Sequence, residues 1–333
     1  MLKPPKLHPG DTIATVSLSW GGPGAIPQRY QAGKQQLVQV FDLNVIEMAH
    51  TFKDAGWLQH NPQARADDLM AAFSDPSIKG IISTIGGDDS IRILPYLDLD
   101  IMRANPKIFM GYSDTTISHL ACYKAGLVSF YGPSIMSGFA ENGGMFPYMV
   151  ESVRKTLFLS APIGVIPPNT SGWTVEHLSW DNPANQNQPR KLNPSSGWRW
   201  LQGQGIHQGH LLGGCFEVLD WLRGTDFWPI PSEWQNAILF LETSEDAPSP
   251  ELVKFGLRTY AALGILPRLS GILFARPGGQ IPIETHAEYD KVLRQVIAEE
   301  NGLADLPIIT NMDFGFWSHR PDVYPGLWYP GRN

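Results

Sequence analysis

The stretch Lys107-Ile-Phe-Met-Gly-Tyr-Ser-Asp-Thr-Thr116 decides how this chain is read. Lys107-Ile-Phe-Met110 is an apolar run short enough for a buried strand. Gly111-Tyr-Ser-Asp-Thr115 breaks that run, and residues 114–126 have the spacing of a helix. A strand that feeds a tight turn and then a helix presents the turn at the carboxyl end of a sheet, where open α/β folds bind ligands. Two readings of Ser113 and Asp114 stand side by side. In one they cap free N–H groups at a helix start. In the other the segment resembles the nucleophile elbow of hydrolases, with Thr115 where that motif carries Gly. Ser113 is then a nucleophile, and the Asp114 amide at the helix N-terminus is an oxyanion donor.

Upstream, residues 11–17, 44–48 and 79–84 read as strands. Residues 28–42 and 63–74 read as helices, with shorter helical pieces at 90–97 and 100–104. Tyr30, Leu37, Val38 and Phe41 can share one helical face, and Leu69, Met70, Ala72 and Phe73 another. Strands alternating with helices imply a mostly parallel sheet covered on both sides. Three loops fall at strand ends: 18–25, 85–90 and 111–115. Ile85-Gly-Gly-Asp-Asp89 is either a plain tight turn or a place where backbone approaches a ligand. The second reading makes Gly86 a substrate contact and Gly87 a second oxyanion donor.

Downstream, the character changes near residue 160. Residues 161–205 are rich in Pro, Asn, Ser, Gln, Gly and Trp and lack helical periodicity. Strands are expected at 237–242, 271–275 and 307–310, and helices at 215–223, 249–263 and 285–299. The expected division is an N-terminal α/β domain over 1–160, a linker over 161–180, and a C-terminal domain over 181–333. The fold class is α/β. The first domain is a Rossmann or flavodoxin-like parallel sheet, and the second is a smaller α/β domain of barrel-like or swivelling character. The active site is expected in the cleft between them.

Bulk properties remove several classes. A length of 333 residues suffices for two modest cores. Hydrophobic content of 43% against 17% charged places the chain among folded proteins. The net charge of -7 argues against a nucleic-acid backbone as partner. Cys122 and Cys215 are far apart and lack metal-ligand spacing, so no Cys-rich zinc site is expected. His207 and His210 are three apart but have no acidic or Cys partner nearby, so no metal is expected there. The N-terminus has no apolar h-region, and no stretch of about 18 apolar residues exists, so no membrane span is expected and the cytoplasm is the default location. Six of the eleven tryptophans fall between Trp173 and Trp228. They either pack a small domain or form an aromatic wall for a flat ligand.

Beyond these short signals, an ordered set recurs. Pro9-Gly-Asp-Thr-Ile13, Arg65-Ala-Asp-Asp-Leu69, Ile85-Gly-Gly87, Gly111-Tyr-Ser-Asp114, Tyr131-Gly-Pro133, Gly213-Gly214, Gly224-Thr225 and Leu239-Phe-Leu-Glu242 stand in the order and spacing of one family. The chain resembles the LD-carboxypeptidase family of serine peptidases, and within it the microcin C immunity (MccF-like) branch. The likeness runs from about residue 3 to about residue 315. It implies a Ser–Glu–His triad, with Ser113 as nucleophile and Glu242 as the carboxylate that orients the base from a strand end, without being fully buried. The family places its His directly after an Asn/Asp-Phe-Gly stretch. Here Asp313-Phe-Gly315 is followed by Phe316, and His319 is the nearest histidine, with His286 a remote second choice. His119 reads as packed rather than catalytic.

The resemblance further implies a serine amidase or carboxypeptidase that needs no cofactor, acts on a small molecule and forms a homodimer. Two substrate classes fit: an aminoacyl-nucleotide, or a muropeptide trimmed at an L,D-bond. The segment Glu176-His-Leu-Ser-Trp-Asp181 through Gly197-Trp-Arg-Trp200 looks like the Trp-bearing loop of the immunity branch and favours the first. Trp180 and Trp198 are then substrate contacts able to stack on a base. Phe316 at the family's His position keeps a third reading open, a catalytically impaired ligand-binding homologue.

Overall fold

The computed structural model describes residues 1–314. They divide into two compact units. The first comprises Met1–Ile163 and Glu176–Lys191, and the second comprises Gly164–Val175 and the residues from Leu192 onward.

The first unit is built on a five-stranded parallel sheet. Its strands are β1 (Thr12–Val16), β2 (Asn44–Glu47), β3 (Ile78–Ser83), β4 (Ile108–Gly111) and β5 (Phe130–Tyr131), in the order β2-β1-β3-β4-β5. That is the flavodoxin-like order, with its reversal at β1 and β3. The inner strands β1, β3 and β4 are almost entirely buried. This is why they read as continuous apolar runs rather than alternating ones. The principal helices are α1 (Pro27–Phe41), α2 (Pro62–Ser74), α3 (Thr116–Lys124) and α4 (Pro147–Leu157). Three of the four start on proline, whose missing N–H would lack a partner in the first turn anyway. Tyr30, Leu37 and Phe41 of α1 join Ile13, Val45, Ile82 and Ile108 in the core. Val38 does not share that face. It lies one residue, about 100°, off the Tyr30–Leu37–Phe41 row and is exposed. Leu69, Met70, Ala72 and Phe73 are all buried as expected.

The second unit carries a mixed five-stranded sheet. Its strands are β6 (Arg199–Gln202), β7 (His210–Cys215), β8 (Ala237–Glu242), β9 (Gly271–Ala275) and β10 (Ile308–Met312), in the order β6-β10-β9-β8-β7. β7 to β10 run parallel, and β6 pairs antiparallel with β10 at one edge. Its helices are α5 (Phe216–Leu222), α6 (Pro250–Ala262) and α7 (His286–Arg294). Ser249 caps α6 by accepting the Leu252 N–H at 3.3 Å. Beyond α7 the helix widens into a π turn over Gln295–Glu300.

The division differs from the expected one at 176–191. Residues 181–191 group with the first unit because polar side chains anchor them there. Arg190 pairs with the buried Glu141, Arg29 donates to Gln186 Oε1 at 2.8 Å, and Asn142 Nδ2 donates to the Asn185 carbonyl at 2.7 Å. Among the described residues no helix is long and apolar enough to cross a membrane.

Candidate active site

The turn after β4 carries Ser113, the expected nucleophile. Ser113 is a non-glycine residue at φ 57°, a left-handed conformation that costs an L-residue on the order of 1–3 kcal/mol and persists only where its surroundings enforce it. Here they do. The Ser113 N–H donates to Tyr131 Oη at 2.9 Å, and the Ser113 carbonyl accepts from Thr116 Oγ1 at 2.7 Å. Ser113 is 5% exposed.

Thr115, where the hydrolase elbow has Gly, has its own account. Thr115 Oγ1 donates to Ser83 Oγ at 3.0 Å. A Cβ on Gly111 would come within 2.7 Å of Thr115 Cγ2. The glycine that permits close packing of strand and helix is thus Gly111, and Thr115 uses the space it leaves.

Gly86 lies against the serine. A side chain there would put its Cβ 3.0 Å from Ser113 Oγ and 3.5 Å from the Asp114 amide nitrogen. Gly87 follows at φ 142°, a region that favours glycine. A Cβ on it would collide with Ser19 Oγ at 2.3 Å. Within this unit Gly86 therefore borders both Ser113 Oγ and the Asp114 N–H, while Gly87 packs on Ser19 and Trp20.

The Asp114 side chain faces away from that space and locks the loops together. Its Oδ2 accepts the Asp89 and Ser90 N–H groups at 3.1 and 2.8 Å, and Ser90 Oγ donates back to the Asp114 carbonyl at 2.8 Å. Burial pushes the Asp114 carboxyl above the usual range, while hydrogen bonds from Ser19, Ser90 and Asp89 oppose the shift. The carboxylate thus caps the helical turn that starts at Ser90, a different element from the helix at 114–126 that the sequence leads one to expect it to cap.

Two supports had no assigned role in the sequence. Arg65, fully buried on α2, donates to the Leu18 carbonyl at 2.7 Å and to Asp89 Oδ2 at 2.6 Å, so it ties the loop after β1 to the loop after β3. An arginine one turn before the apolar Leu69-Met70 face of this helix was the available signal, since such a charge is seldom buried without a partner. Tyr131 is the other, and its position in Tyr131-Gly-Pro133 was visible only as a motif. His119 is packed, as expected. Its Nε2 donates to the Gly111 carbonyl at 2.8 Å and its Nδ1 accepts from Ser129 Oγ at 2.8 Å. Burial lowers its pKa to about 4, the Gly111 carbonyl pulling the other way. It is neutral at pH 7.

Trp180 also belongs to the first unit. The Arg29 guanidinium sits 4.7 Å from its ring centroid, so a ligand would stack on the opposite face. Arg29 is itself buried, donating to the Met136 carbonyl at 2.9 Å and to Asn142 Oδ1 at 2.8 Å. Burial lowers its pKa to about 10.

In the second unit, Glu242 is the last residue of β8 and is in register with Cys215 of β7. It is 1% exposed, more deeply buried than a strand-end carboxylate was expected to be. The loop that follows is held by Glu217 of α5, which accepts from Ser244 Oγ at 2.5 Å and from its N–H at 3.1 Å. Burial, then Glu217 and Glu242, hold the Cys215 thiol well above its usual pKa. Trp198 donates its indole N–H to Asp313 Oδ2 at 2.8 Å, and Arg276 pairs with Oδ1 of the same buried carboxylate. His286 starts α7 beside Trp173, with ring centroids 5.8 Å apart. Burial, then Arg276 and Arg199, lower its pKa. Gly315, Phe316 and His319 lie outside the described residues. His207 and His210 each bond a backbone carbonyl through Nε2, those of Gln204 and Glu233. Among the described residues no group of His, Cys, Asp and Glu is placed to hold a metal ion.

The chain is similar to known proteins over most of its length. Residues 13–132 match the model of the LD-carboxypeptidase N-terminal domain, and residues 208–325 match that of the LD-carboxypeptidase C-terminal domain. A putative carboxypeptidase of Vibrio cholerae is 30% identical over 94% of this chain and 90% of its own length. Microcin C7 self-immunity protein MccF of Escherichia coli is 31% identical over 71% of this chain and 67% of its own. The solved structure of MccF in complex with aspartyl sulfamoyl adenosine matches with a TM-score of 0.79 at 25% identity, covering 98% of this chain and 94% of that one. The MccF-like protein from Streptococcus pneumoniae, solved in complex with AMP, matches with a TM-score of 0.83 at 32% identity, covering 95% of this chain and 94% of that one.

Proposed function

The chain belongs to the LD-carboxypeptidase family, and on that premise we propose that it is a serine hydrolase cleaving an amide bond to an amino acid, with an aminoacyl-nucleotide as substrate. The observation that carries the proposal is Ser113, held in the left-handed region at the carboxyl end of a parallel strand, with Gly86 leaving its oxygen uncrowded. A buried polar residue in a strained turn is expensive unless the turn has work to do.

In this reading Ser113 Oγ attacks the amide carbonyl while His319 takes its proton. The new C–O bond forms, and the carbonyl oxygen gains charge facing the Gly87 and Asp114 amides. The C–N bond then breaks, His319 returns the proton to the leaving nitrogen, and water cleaves the acyl-enzyme by the same steps. Glu242 orients the imidazole and stabilises its charged form.

Substrate class rests on the tryptophans and on the relatives. MccF and the pneumococcal protein were solved with adenine nucleotides or their aminoacyl analogues. Trp180, half-buried with Arg29 over one ring face, offers the opposite face for a base. Stacking uses a face rather than the N–H edge, so the Trp198–Asp313 bond is compatible with the same role. A second reading, trimming of muropeptides, fits the same nucleophile.

The test is a side-by-side assay on aspartyl sulfamoyl adenosine and on an L,D-linked muropeptide, following free amino acid released. We expect turnover of the first and its abolition in Ser113→Ala, with folding retained. Turnover confined to the muropeptide would select the second reading. Unchanged turnover in Ser113→Ala would remove Ser113 from the mechanism. If neither substrate turns over but the nucleotide binds, the impaired-homologue reading suggested by Phe316 takes its place.

A further inference from the structure

We propose that Tyr131 is a positioning residue for Ser113, its phenol oxygen holding the serine in the left-handed conformation that aims Oγ at substrate. The inference deepens the nucleophile reading and rests on it. The Ser113 N–H meets Tyr131 Oη at 2.9 Å, and both residues are buried, at 5% and 2% exposure. A backbone N–H in a left-handed turn falls out of the helical ladder. Shielded from water, it needs an acceptor, and the phenol supplies one. The bond fixes the peptide plane that precedes Ser113, and Thr116 Oγ1 holds the carbonyl on the other side, so φ of Ser113 cannot relax without straining one of the two.

The phenol is itself held from three sides. Register pairs Tyr131 with Gly111, two residues before the serine. The Gly132 N–H donates to the Gly111 carbonyl at 3.0 Å, fixing the backbone after the tyrosine. His119, anchored to the same Gly111 carbonyl, packs against the ring with centroids 5.3 Å apart. Strand β5 is two residues long, and its tyrosine links the sheet edge to the elbow. A consequence follows for the oxyanion. The Ser113 N–H is engaged by Tyr131, which leaves the donor role to Gly87 and Asp114.

Tyr131→Phe keeps the ring and its packing on His119 and removes only the acceptor. We expect kcat to fall roughly tenfold or more, with KM within about twofold, because the defect lies in nucleophile geometry rather than in ground-state binding. The rate at which a fluorophosphonate probe labels Ser113 should fall by the same factor, a readout that simple loss of packing would not move at a temperature where the variant is fully folded. A wild type that labels, beside a Tyr131→Phe that labels and turns over equally fast, overturns the Tyr131 role alone. A wild type that neither labels nor turns over removes the nucleophile reading and the Tyr131 role with it. Should Tyr131→Phe fail to fold, a fluorinated tyrosine at 131 weakens the neutral acceptor while keeping ring and hydroxyl in place. A several-fold loss of kcat supports the proposal, and an unchanged kcat overturns it.

Discussion

A methyl group at position 86 would stand 3.0 Å from Ser113 Oγ, inside the space an attacked carbonyl has to enter. Serine and Asp114 belong to a framework fixed by Tyr131, Ser90 and Asp89, so neither can retreat cheaply. Gly86→Ala is therefore expected to lower kcat/KM by about 10²-fold, measured by steady-state kinetics at a temperature where the variant is folded, and also to lower the melting temperature, because the new Cβ would stand 2.9 Å from Ser113 Cβ. A variant with wild-type kinetics would show that substrate does not approach from the Gly86 side. At this scale the sequence was informative where a residue type is tied to a backbone need. Ser113, Gly86 and Gly87 are legible because a strand-end turn leaves few options for them. Tyr131 and Arg65 were not, since their roles depend on which distant backbone group they reach. Pattern reading cannot tell that Arg65 ends on the Leu18 carbonyl. Phe316 shows the opposite limit: the departure from the family pattern is plain in the sequence, and the base role proposed for His319 is not.

Elements were legible in proportion to their regularity. Four strands of the first sheet and the helices α1, α2 and α3 match their expected spans to within about two residues, because apolar runs and 3.6-residue periodicity are strong signals, whereas the two-residue β5 and helix α4 were not anticipated. β7 was missed: Gly213 and Gly214 interrupt His210–Cys215 and look like a turn. Both take positive φ, 159° and 153°, that glycine alone adopts readily, and a Cβ on Gly213 would meet the Phe240 carbonyl oxygen of β8. β6 escaped because it is a short, half-exposed edge strand. The segment Glu176–Lys191 was the hardest, having no periodicity at all. Its order comes from a few polar anchors, above all the two-pronged pair of Arg190 with Glu141, at 2.7 and 2.5 Å. Glu141 is 3% exposed. Removing the arginine leaves a buried carboxylate without its partner, which costs roughly 3–5 kcal/mol. Arg190→Met should therefore lower the stability of the protein by about that much in urea unfolding and shift the emission of the tryptophans. Adding Glu141→Met should recover most of the loss. If the single change is silent, the pair does not anchor the segment.

For the whole molecule, composition and charge excluded classes without choosing a function, and the ordered motif set chose the family. The division into units was legible only in outline, since the chain leaves and re-enters each unit between residues 164 and 192. Stability as a function of pH is also a property of the whole fold, and one buried group gives it a definite sign. Burial lowers the pKa of His119 in the folded chain to about 4, against an ordinary value of about 6.5. Its neutral form is the one the fold accepts, because Gly111 and Ser129 fill both ring nitrogens inside a dry site. The unfolded chain takes up a proton as pH falls below about 6.5, whereas the folded chain resists until about 4. Between those values the unfolded state binds more protons, so stability rises with pH. The contribution is fully present above the unfolded pKa and is lost as pH falls toward the folded one. At about 1.36 kcal/mol per unit, the window is worth on the order of 3 kcal/mol. Buried acids with raised pKa values, Asp68 and Asp114 among them, act in the opposite direction at the acid end. The histidine term is therefore read as a difference between two chains. His119→Asn replaces the imidazole by an amide that does not titrate. Urea unfolding of both chains from pH 7 to pH 4 should show the wild type losing stability faster than the variant, so that the gap between them narrows as the solution becomes more acidic. Parallel curves would mean that His119 takes up its proton in the folded chain as readily as in the unfolded one, and that the support beneath the Gly111 turn is not the sealed neutral imidazole described above.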